Sequence, residues 1–238
     1  MIWKCICVPI VSVAFACPAF ATDVQVLSGG AVEPGLTVAA DTFRKQTGNE
    51  IKISYATAPE IRRRVGAGET PDVVVAPPSV LDEIAKSGKF DNTARVEVGR
   101  VGIGVAVRDG APMRSNVRYL TRTPLSTIGG SSGLFVEGLL QRLGLAEQTK
   151  AKTTRYAGSE MLERVVNGTG KELAFSPVTE ILLYRGKGLQ LVGPLPAEIQ
   201  NLTAYAAQPV SQSKAALTFV HFLATPAAKT IFVAAGIE

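Results

Sequence analysis

Strand-like and helix-like segments alternate along the chain from residue 24 onward. Residues 24–28 form a short β-like run, and apolar residues then recur at the spacing of one helix face between 36 and 43. Residues 51–57 alternate apolar and polar side chains as a strand does, and the apolar run at 73–76 is typical of a strand buried on both faces. This order predicts an α/β fold in which a mostly parallel sheet carries helices on both faces.

A second unit of the same kind begins at Arg100. Residues 101–107 and 125–128 have the composition of strands, and a glycine-rich turn at 129–133 leads into a helix with one apolar stripe. The stretch 213–235 is predicted to be helical, with a break at its proline. The length of the chain suits one large domain or two small lobes.

The first 21 residues have the pattern of a secretory signal peptide. Lys4 precedes a compact apolar run at 5–15, and Ala19-Phe20-Ala21 places small residues at the two positions that signal peptidase reads. The apolar run is too short to cross a bilayer, which takes a helix of about 20 residues. We therefore expect removal of residues 1–21 and export of the remainder to the periplasm. An uncleaved membrane anchor and a lipoprotein attached through Cys17 are the less favoured alternatives.

All three cysteines, Cys5, Cys7 and Cys17, lie in the segment that we expect to be removed. The exported protein would then carry no thiol and no disulfide, so its core alone must stabilise it. The net charge of +5 is spread along the sequence, apart from the run Arg62-Arg63-Arg64. That distribution argues against a nucleic-acid groove. The arginine run is typical of a solvated helix face, with a ligand or partner contact as the alternative.

Most catalytic classes lack their characteristic residues in this sequence. His221 is the only histidine, and it stands in the terminal helical stretch, where we expect a surface or packing role. A Ser/His/Asp triad cannot form without it, and no spacing of His, Cys and carboxylate residues indicates a metal site. A Walker-type phosphate loop is also absent from the sequence. We therefore expect neither a cofactor nor a metal ion.

Several glycine-rich or small-residue turns precede predicted helices. They are Ser28–Ala31, 56–58 and 130–133, and they carry hydroxyl groups at Ser28, Thr57, Ser131 and Ser132. In an α/β unit, the turn after a strand leads to a helix N-terminus, where free N–H groups and the helix dipole favour an anion. A single turn of this kind is more often an ordinary helix cap. Several in one exported chain indicate either capping or an anion site, and both interpretations stay open.

The chain resembles a known family in the order of these segments. The run 24–30 followed by a helix, and Pro71-Asp72 ahead of the apolar run at 73–75, are similar to type II periplasmic solute-binding proteins of the molybdate-binding kind. The segments at 129–133, 179–181 and 192–200 are similar to a divergent branch of that family, which also includes aconitate isomerase. The resemblance extends over the whole chain after residue 21.

The resemblance implies two lobes, residues 22–99 plus 206–238 and residues 100–205, with a ligand in the cleft between them. It also implies a monomer that binds a small anion and presents its closed form to the permease of an ABC importer. The residues implied to bind the ligand lie in turns and helix starts along the cleft: Ser28, Gly29, Gly30, Ala31, Thr57, Ala58, Ser131, Ser132, Gly133, Ser159 and Thr179.

The sequence departs from the molybdate-binding pattern at three of these places. Ala31, Ala58-Pro59 and Pro177 stand where that pattern has hydroxyl groups. Hydrogen bonds to a charged group contribute about 1.5–3 kcal/mol each, so their loss favours a larger organic anion over molybdate. The alternative function is a cofactorless isomerase of a small tricarboxylate such as aconitate. Its base would be Glu180, the acidic residue nearest the cleft, followed by Glu33, although a surface or capping role for Glu180 fits the sequence as well.

Overall fold

The computed structural model describes residues 22–86, 88, 94–111, 122–128, 130–156, 160–169 and 171–238, with backbone only at 127 and 128. The predicted signal peptide, residues 1–21, and the predicted ligand residue Ser159 lie outside this part of the chain. Within it, the strands form two sheets of five.

The first sheet has the strand order β2-β1-β3-β10-β4. Strands β2, β1 and β3 are parallel, whereas β10 runs antiparallel to both β3 and β4. The bounds of these strands are β1 Asp23–Gly29, β2 Glu50–Ala56, β3 Val73–Ala76, β4 Val96–Val101 and β10 Thr203–Pro209.

Helices cover both faces of the first sheet, and together with it form lobe 1. Val73 and Val75 of β3 contact one core cluster, which includes Phe43 and Phe219, while Val74 contacts a second cluster on the opposite face. The prediction of a strand buried on both faces is therefore confirmed. The helices are α1 Glu33–Thr47, α2 Ala58–Gly66, α3 Pro78–Ala85, α8 Lys214–Leu223 and α9 Pro226–Ala234.

The second sheet has the strand order β7-β6-β8-β5-β9 and, with its helices, forms lobe 2. Strands β7, β6 and β8 are parallel, and β5 runs antiparallel to β8 and β9. The strands are β5 Ile103–Arg108, β6 Leu125–Ile128, β7 Thr153–Tyr156, β8 Leu173–Pro177 and β9 Leu189–Pro194. The helices are α4 Ser131–Arg142, α5 Ala146–Lys150, α6 Glu160–Asn167 and α7 Val178–Leu182.

The predicted fold class, α/β with helices flanking two sheets, is confirmed. Each sheet is mixed: four of its five strands run in the same direction, and only β10 in the first sheet and β5 in the second run against their neighbours. The predicted strand at 101–107 is divided at Gly102 into the end of β4 and the whole of β5. The helical stretch at 213–235 is broken before Pro226, where the hydroxyl of Thr225 accepts a hydrogen bond from Ala228 N.

The chain crosses between the lobes twice. It leaves lobe 1 where β4 ends at Val101 and β5 begins at Ile103, and it returns to lobe 1 in β10. The predicted lobe boundaries, 99/100 and 205/206, fall inside β4 and β10, and this division of the chain stays a prediction. The backbone of Glu238 pairs with Arg100 of β4, through hydrogen bonds of 2.6 Å and 3.0 Å. The last residue therefore packs on a strand that joins the lobes.

Candidate functional site

A cavity of about 420 Å³ opens between the two lobes. Lobe 1 contributes the turn after β1, the end of β2 and the start of α2. Lobe 2 contributes the start of α4, the end of β8 and helix α7 with the residues after it. These are mostly the C-terminal ends of parallel strands, where open α/β sheets place their ligands.

A helix N-terminus from each lobe lines this cavity. Helix α2 starts after Thr57 and α4 starts after Gly130, and neither has a side-chain cap. A β-carbon placed on Gly130 would lie 3.8 Å from Cβ of Thr57, so the two starts are in direct contact distance. The first N–H groups of each helix have no partner inside the helix and can bind an anion.

The turn after β1 lies close to lobe 2. A β-carbon on Gly29 would lie 2.9 Å from the ring of Tyr205, and one on Gly30 would lie 2.9 Å from Oε1 of Glu180. Real β-carbons do not come this close to heavy atoms, so a larger residue at either position would displace its neighbour. Glycine at 30 therefore allows the two lobes to approach each other here, whereas glycine at 29 makes room for Tyr205 of the same sheet.

Glu180 lines the cavity and is 7% exposed. The hydroxyl of Ser176 donates a 2.8 Å hydrogen bond to Oε2 of Glu180. The pKa of Glu180 is raised to about 7, mainly by burial; the hydrogen bond from Ser176 opposes the rise, and the charge of Glu33 adds to it. Near neutral pH this carboxyl therefore exists in both its acid and its ionised form.

Three tyrosines also line the cavity: Tyr55, Tyr184 and Tyr205. Burial raises the pKa of Tyr55 to about 12, and its hydroxyl lies 2.8 Å from that of Thr37. Burial also raises the pKa of Tyr205, and the nearby charge of Glu180 adds to the effect. All three rings are uncharged at neutral pH and can offer hydroxyl groups to a ligand.

The charged side chains of the cavity wall are three carboxyl groups and one ammonium group. Glu33, Glu160 and Glu180 line the cavity together with Lys187, which is its only cation among the described residues. Burial raises the pKa of Glu33, and Lys187 opposes that rise. The Lys187 ammonium lies 6.0 Å from the centre of the Tyr184 ring. An anion in this cavity would therefore depend mainly on N–H groups, hydroxyl groups and protonated Glu180.

The structure brings seven of the sequence-predicted ligand residues to the cavity wall: Gly29, Gly30, Ala31, Thr57, Ala58, Ser131 and Ser132. Three others lie behind the wall. Ser28 is fully buried and donates to the carbonyl of Gly29, Gly133 is buried in the first turn of α4, and Thr179 donates to the carbonyl of Ala31. The role of all of them in ligand binding stays a prediction.

Sequence reasoning missed several residues of the wall. Tyr55 stands just before the predicted turn at 56–58, so its position next to that turn could have marked it as a residue of the cavity wall. Tyr205 comes from β10, and Tyr184 and Lys187 from the segment after α7, and no local pattern marks them as cleft residues. His221 lies exposed on α8 and does not line the cavity, as expected.

The described residues hold no group of three or more His, Cys, Asp or Glu side chains that could bind a metal ion. Among the same residues, no single helix has both the length and the apolar composition needed to cross a membrane.

Comparison with known proteins identifies the family. The model of the bacterial extracellular solute-binding proteins matches residues 24–238. The chain belongs to this family. The predicted resemblance to type II solute-binding proteins is therefore confirmed, and the two-lobed architecture agrees with that of solved members of this fold.

Relatives of this solute-binding protein include an enzyme. The chain is 30% identical to an aconitate isomerase from Pseudomonas sp, in an alignment that covers 88% of this chain and 86% of that protein. Among solved structures, the periplasmic molybdate-binding protein of Azotobacter vinelandii superposes with a TM-score of 0.77 at 18% identity, over 90% of this chain and 98% of that one. The sulfate-binding protein SubI of Mycobacterium tuberculosis gives 0.75 at 20% identity, over 91% and 86%. These two likenesses establish the fold alone.

Proposed function

We propose that this protein is a periplasmic receptor that binds a small organic carboxylate between its two lobes. The observation that carries the proposal is the cavity of about 420 Å³ whose wall includes a helix N-terminus from each lobe. Pockets for small organic ligands measure about 300–1,000 Å³. Their N–H groups supply donors from both lobes, so one anion could contact both and favour their closure.

The composition of the wall favours a carboxylate over a tetrahedral metal oxyanion. Ala31, Ala58 and Pro177 line the cavity, at positions where the molybdate-binding pattern has hydroxyl groups. Glu33 and Glu160 add carboxyl groups to the same wall. A compact dianion would meet few side-chain donors and nearby like charge, whereas an elongated carboxylate can place its anionic ends at the helix starts and its carbon skeleton against Ile61 and Leu162.

The proposed role includes partners that act outside the cleft. As a receptor for import, the closed and ligand-bound protein would present both lobes to the permease of an ABC transporter at the inner membrane. We propose that it works there as a monomer, because the cleft is built from the two lobes of one chain. Export through the predicted signal peptide at 1–21 belongs to the same proposal.

Glu180 favours a second candidate function, the isomerisation of a small unsaturated polycarboxylate. General acid–base catalysis works best when the catalytic pKa is near the operating pH, and the pKa of Glu180 is about 7. Ionised Glu180 would take a proton from a carbon next to the double bond. The electron pair of that C–H bond would form a new double bond to the neighbouring carbon. Protonated Glu180 would then return the proton to the far carbon of the original double bond. The 30% identity to an aconitate isomerase supports this candidate.

One set of measurements separates the two functions. Purified protein is screened by thermal shift with molybdate, sulfate, citrate, cis-aconitate and trans-aconitate, because a ligand at 100 times its Kd adds about 2.7 kcal/mol of stability. Proton NMR then follows each aconitate isomer with the protein. Binding without conversion supports the receptor, whereas interconversion that is lost in Glu180→Gln supports the isomerase. Stabilisation by molybdate or sulfate alone would contradict the proposed carboxylate.

A further inference from the structure

The two oxygens of the Glu180 carboxyl have different surroundings. Oε2 accepts the 2.8 Å hydrogen bond from Ser176, which stands at the end of β8 and is fully buried. Oε1 points to the other lobe, where a β-carbon on Gly30 would lie only 2.9 Å away. One oxygen is thus held from within lobe 2, and the other lies at the glycine turn of the cavity wall.

The backbone fixes this arrangement through a short connection. Pro177 separates Ser176 from α7, and Glu180 lies in the first turn of that helix, four residues after the serine. The backbone N–H of Val178 donates to the carbonyl of Gly102, so the start of α7 is also tied to the segment between β4 and β5. Both residues belong to lobe 2, so their hydrogen bond can be kept when the two lobes move relative to each other.

Other titratable groups face Glu180 from each neighbouring element. Burial is the main cause of the raised pKa of Glu180, and the charge of Glu33 on α1 adds to it. Burial also raises the pKa values of Tyr205 on β10 and Tyr184 after α7, and Glu180 makes a smaller contribution to both. Burial raises the pKa of Glu33, and Lys187 acts to lower it. Among these neighbours, the hydrogen bond from Ser176 is the influence that favours the ionised form of Glu180.

We propose that Ser176 is a positioning residue, which holds Oε2 of Glu180 so that Oε1 carries the exchangeable proton towards the ligand beside Gly30. This inference rests on the proposed function, since it assigns the atom of Glu180 that meets the carboxylate. When protonated, Oε1 donates to a ligand carboxylate. When ionised, it is the oxygen that can accept a proton. The hydrogen bond from Ser176 keeps one carboxyl oxygen inside lobe 2, so that the other faces the glycine turn.

The test measures the protonation of Glu180 directly in the protein without ligand. Glutamate labelled with ¹³C at the side-chain carboxyl gives one titration curve per residue, and Glu180→Gln identifies the curve of Glu180. We expect Ser176→Ala to raise the midpoint of that curve by about one pH unit, because a hydrogen bond to the charged form is lost. Ser176→Cys keeps the size of the side chain with a weaker donor, and should give a smaller rise. Ser126→Ala removes a buried hydroxyl from the same sheet without touching Glu180 and should leave the midpoint unchanged.

Calorimetry with trans-aconitate and citrate then reads out the orientation of Oε1. We expect Ser176→Ala to weaken binding at least several-fold at pH 6, where the carboxyl is protonated in both proteins, so the loss reports position rather than charge. An unchanged midpoint in Ser176→Ala, an equal shift in Ser126→Ala, or unchanged affinity at pH 6 would overturn the proposal. If the wild type binds neither compound, the carboxylate function fails, and the midpoints still decide whether Ser176 holds Glu180.

Discussion

The hydroxyl of Thr179 donates a 2.6 Å hydrogen bond to the carbonyl of Ala31, and the two residues belong to opposite lobes. Both are buried, at 0% and 2% exposure. The bond joins the start of α7 to the turn after β1, beside the place where Glu180 meets Gly30. The two walls of the cavity are therefore connected by a direct polar contact as well as by the strands that cross between the lobes.

The first prediction concerns this contact. Thr179→Val keeps the shape of the side chain but leaves the buried carbonyl of Ala31 without that donor, which costs about 1–3 kcal/mol of unfolding free energy. Because the bond joins the lobes, the variant should also populate an open form, seen as a larger radius of gyration in small-angle X-ray scattering. Urea denaturation measures the stability.

Thr149→Val is the matched control for that change. Thr149 is 1% exposed, and its hydroxyl donates to the carbonyl of Leu145 within lobe 2. It should lower the free energy of unfolding without a change in the radius of gyration. Equal scattering curves for the wild type and Thr179→Val would contradict the role of Thr179 in holding the lobes together.

The second prediction is a dependence of stability on pH. The pKa of Glu180 is raised from 4.5 to about 7 in the folded protein, so the folded state binds more protons than the unfolded state between these values. Its contribution to stability is fully present below pH 4.5 and is lost as pH rises to about 7, with a total change on the order of 3 kcal/mol. Glu180→Gln cannot ionise, so it should unfold at higher urea concentration than the wild type at pH 8. Equal urea midpoints of the wild type and Glu180→Gln at pH 8 would contradict the raised pKa of Glu180.

The third prediction tests the close approach at Gly30. Gly30→Ala places a methyl group 2.9 Å from the present position of Oε1 of Glu180, so the carboxyl or the turn must move. We expect at least ten-fold weaker binding of the ligand that the thermal-shift screen identifies. Gly138→Ala in α4 is the control, since its β-carbon would meet only Arg142, at 3.6 Å. It should preserve affinity and raise stability by about 0.5–1 kcal/mol, as Gly to Ala does inside a helix. Normal affinity in Gly30→Ala would remove this turn from the binding site.

The fourth prediction concerns the cation of the cavity wall. Lys187→Gln should weaken binding of a tricarboxylate several-fold, because it removes the only described positive side chain that lines the cavity. The loss should shrink as salt concentration rises, since Lys187 is exposed and its field is screened. Lys229→Gln on α9 makes the same change in charge on an exposed residue that does not line the cavity. If both variants lose the same affinity, the effect belongs to net charge alone and not to Lys187.

Local sequence patterns predicted the elements of lobe 1 well. Helix α1 ends at Thr47, just before Gly48 with its φ of 76°, and the apolar run at 73–76 is the central strand β3. The turn residues Gly29, Gly30 and Thr57 were found because strand ends and helix starts leave clear signals. Such features depend on contacts between residues near each other in the chain.

The parts that sequence could not predict depend on contacts between distant segments. Thr179 and Ala31 are 148 residues apart, and no local pattern marks the hydrogen bond between them. The sequence marked Glu180 as an acid near the cleft, but its burial follows from α7 packing against the turn of lobe 1. The pKa of Glu180 depends on that burial, so no local pattern could supply it.

The tyrosines of the cavity allow ligand binding to be followed by the intrinsic fluorescence of the protein. Trp3 is the only tryptophan, and it lies in the segment that we expect to be cleaved. Ultraviolet emission of the exported protein would then come from its five tyrosines, of which Tyr55, Tyr184 and Tyr205 line the cavity. A ligand that enters would change the surroundings of most of the emitting rings at once, so binding can be followed by fluorescence without any attached dye.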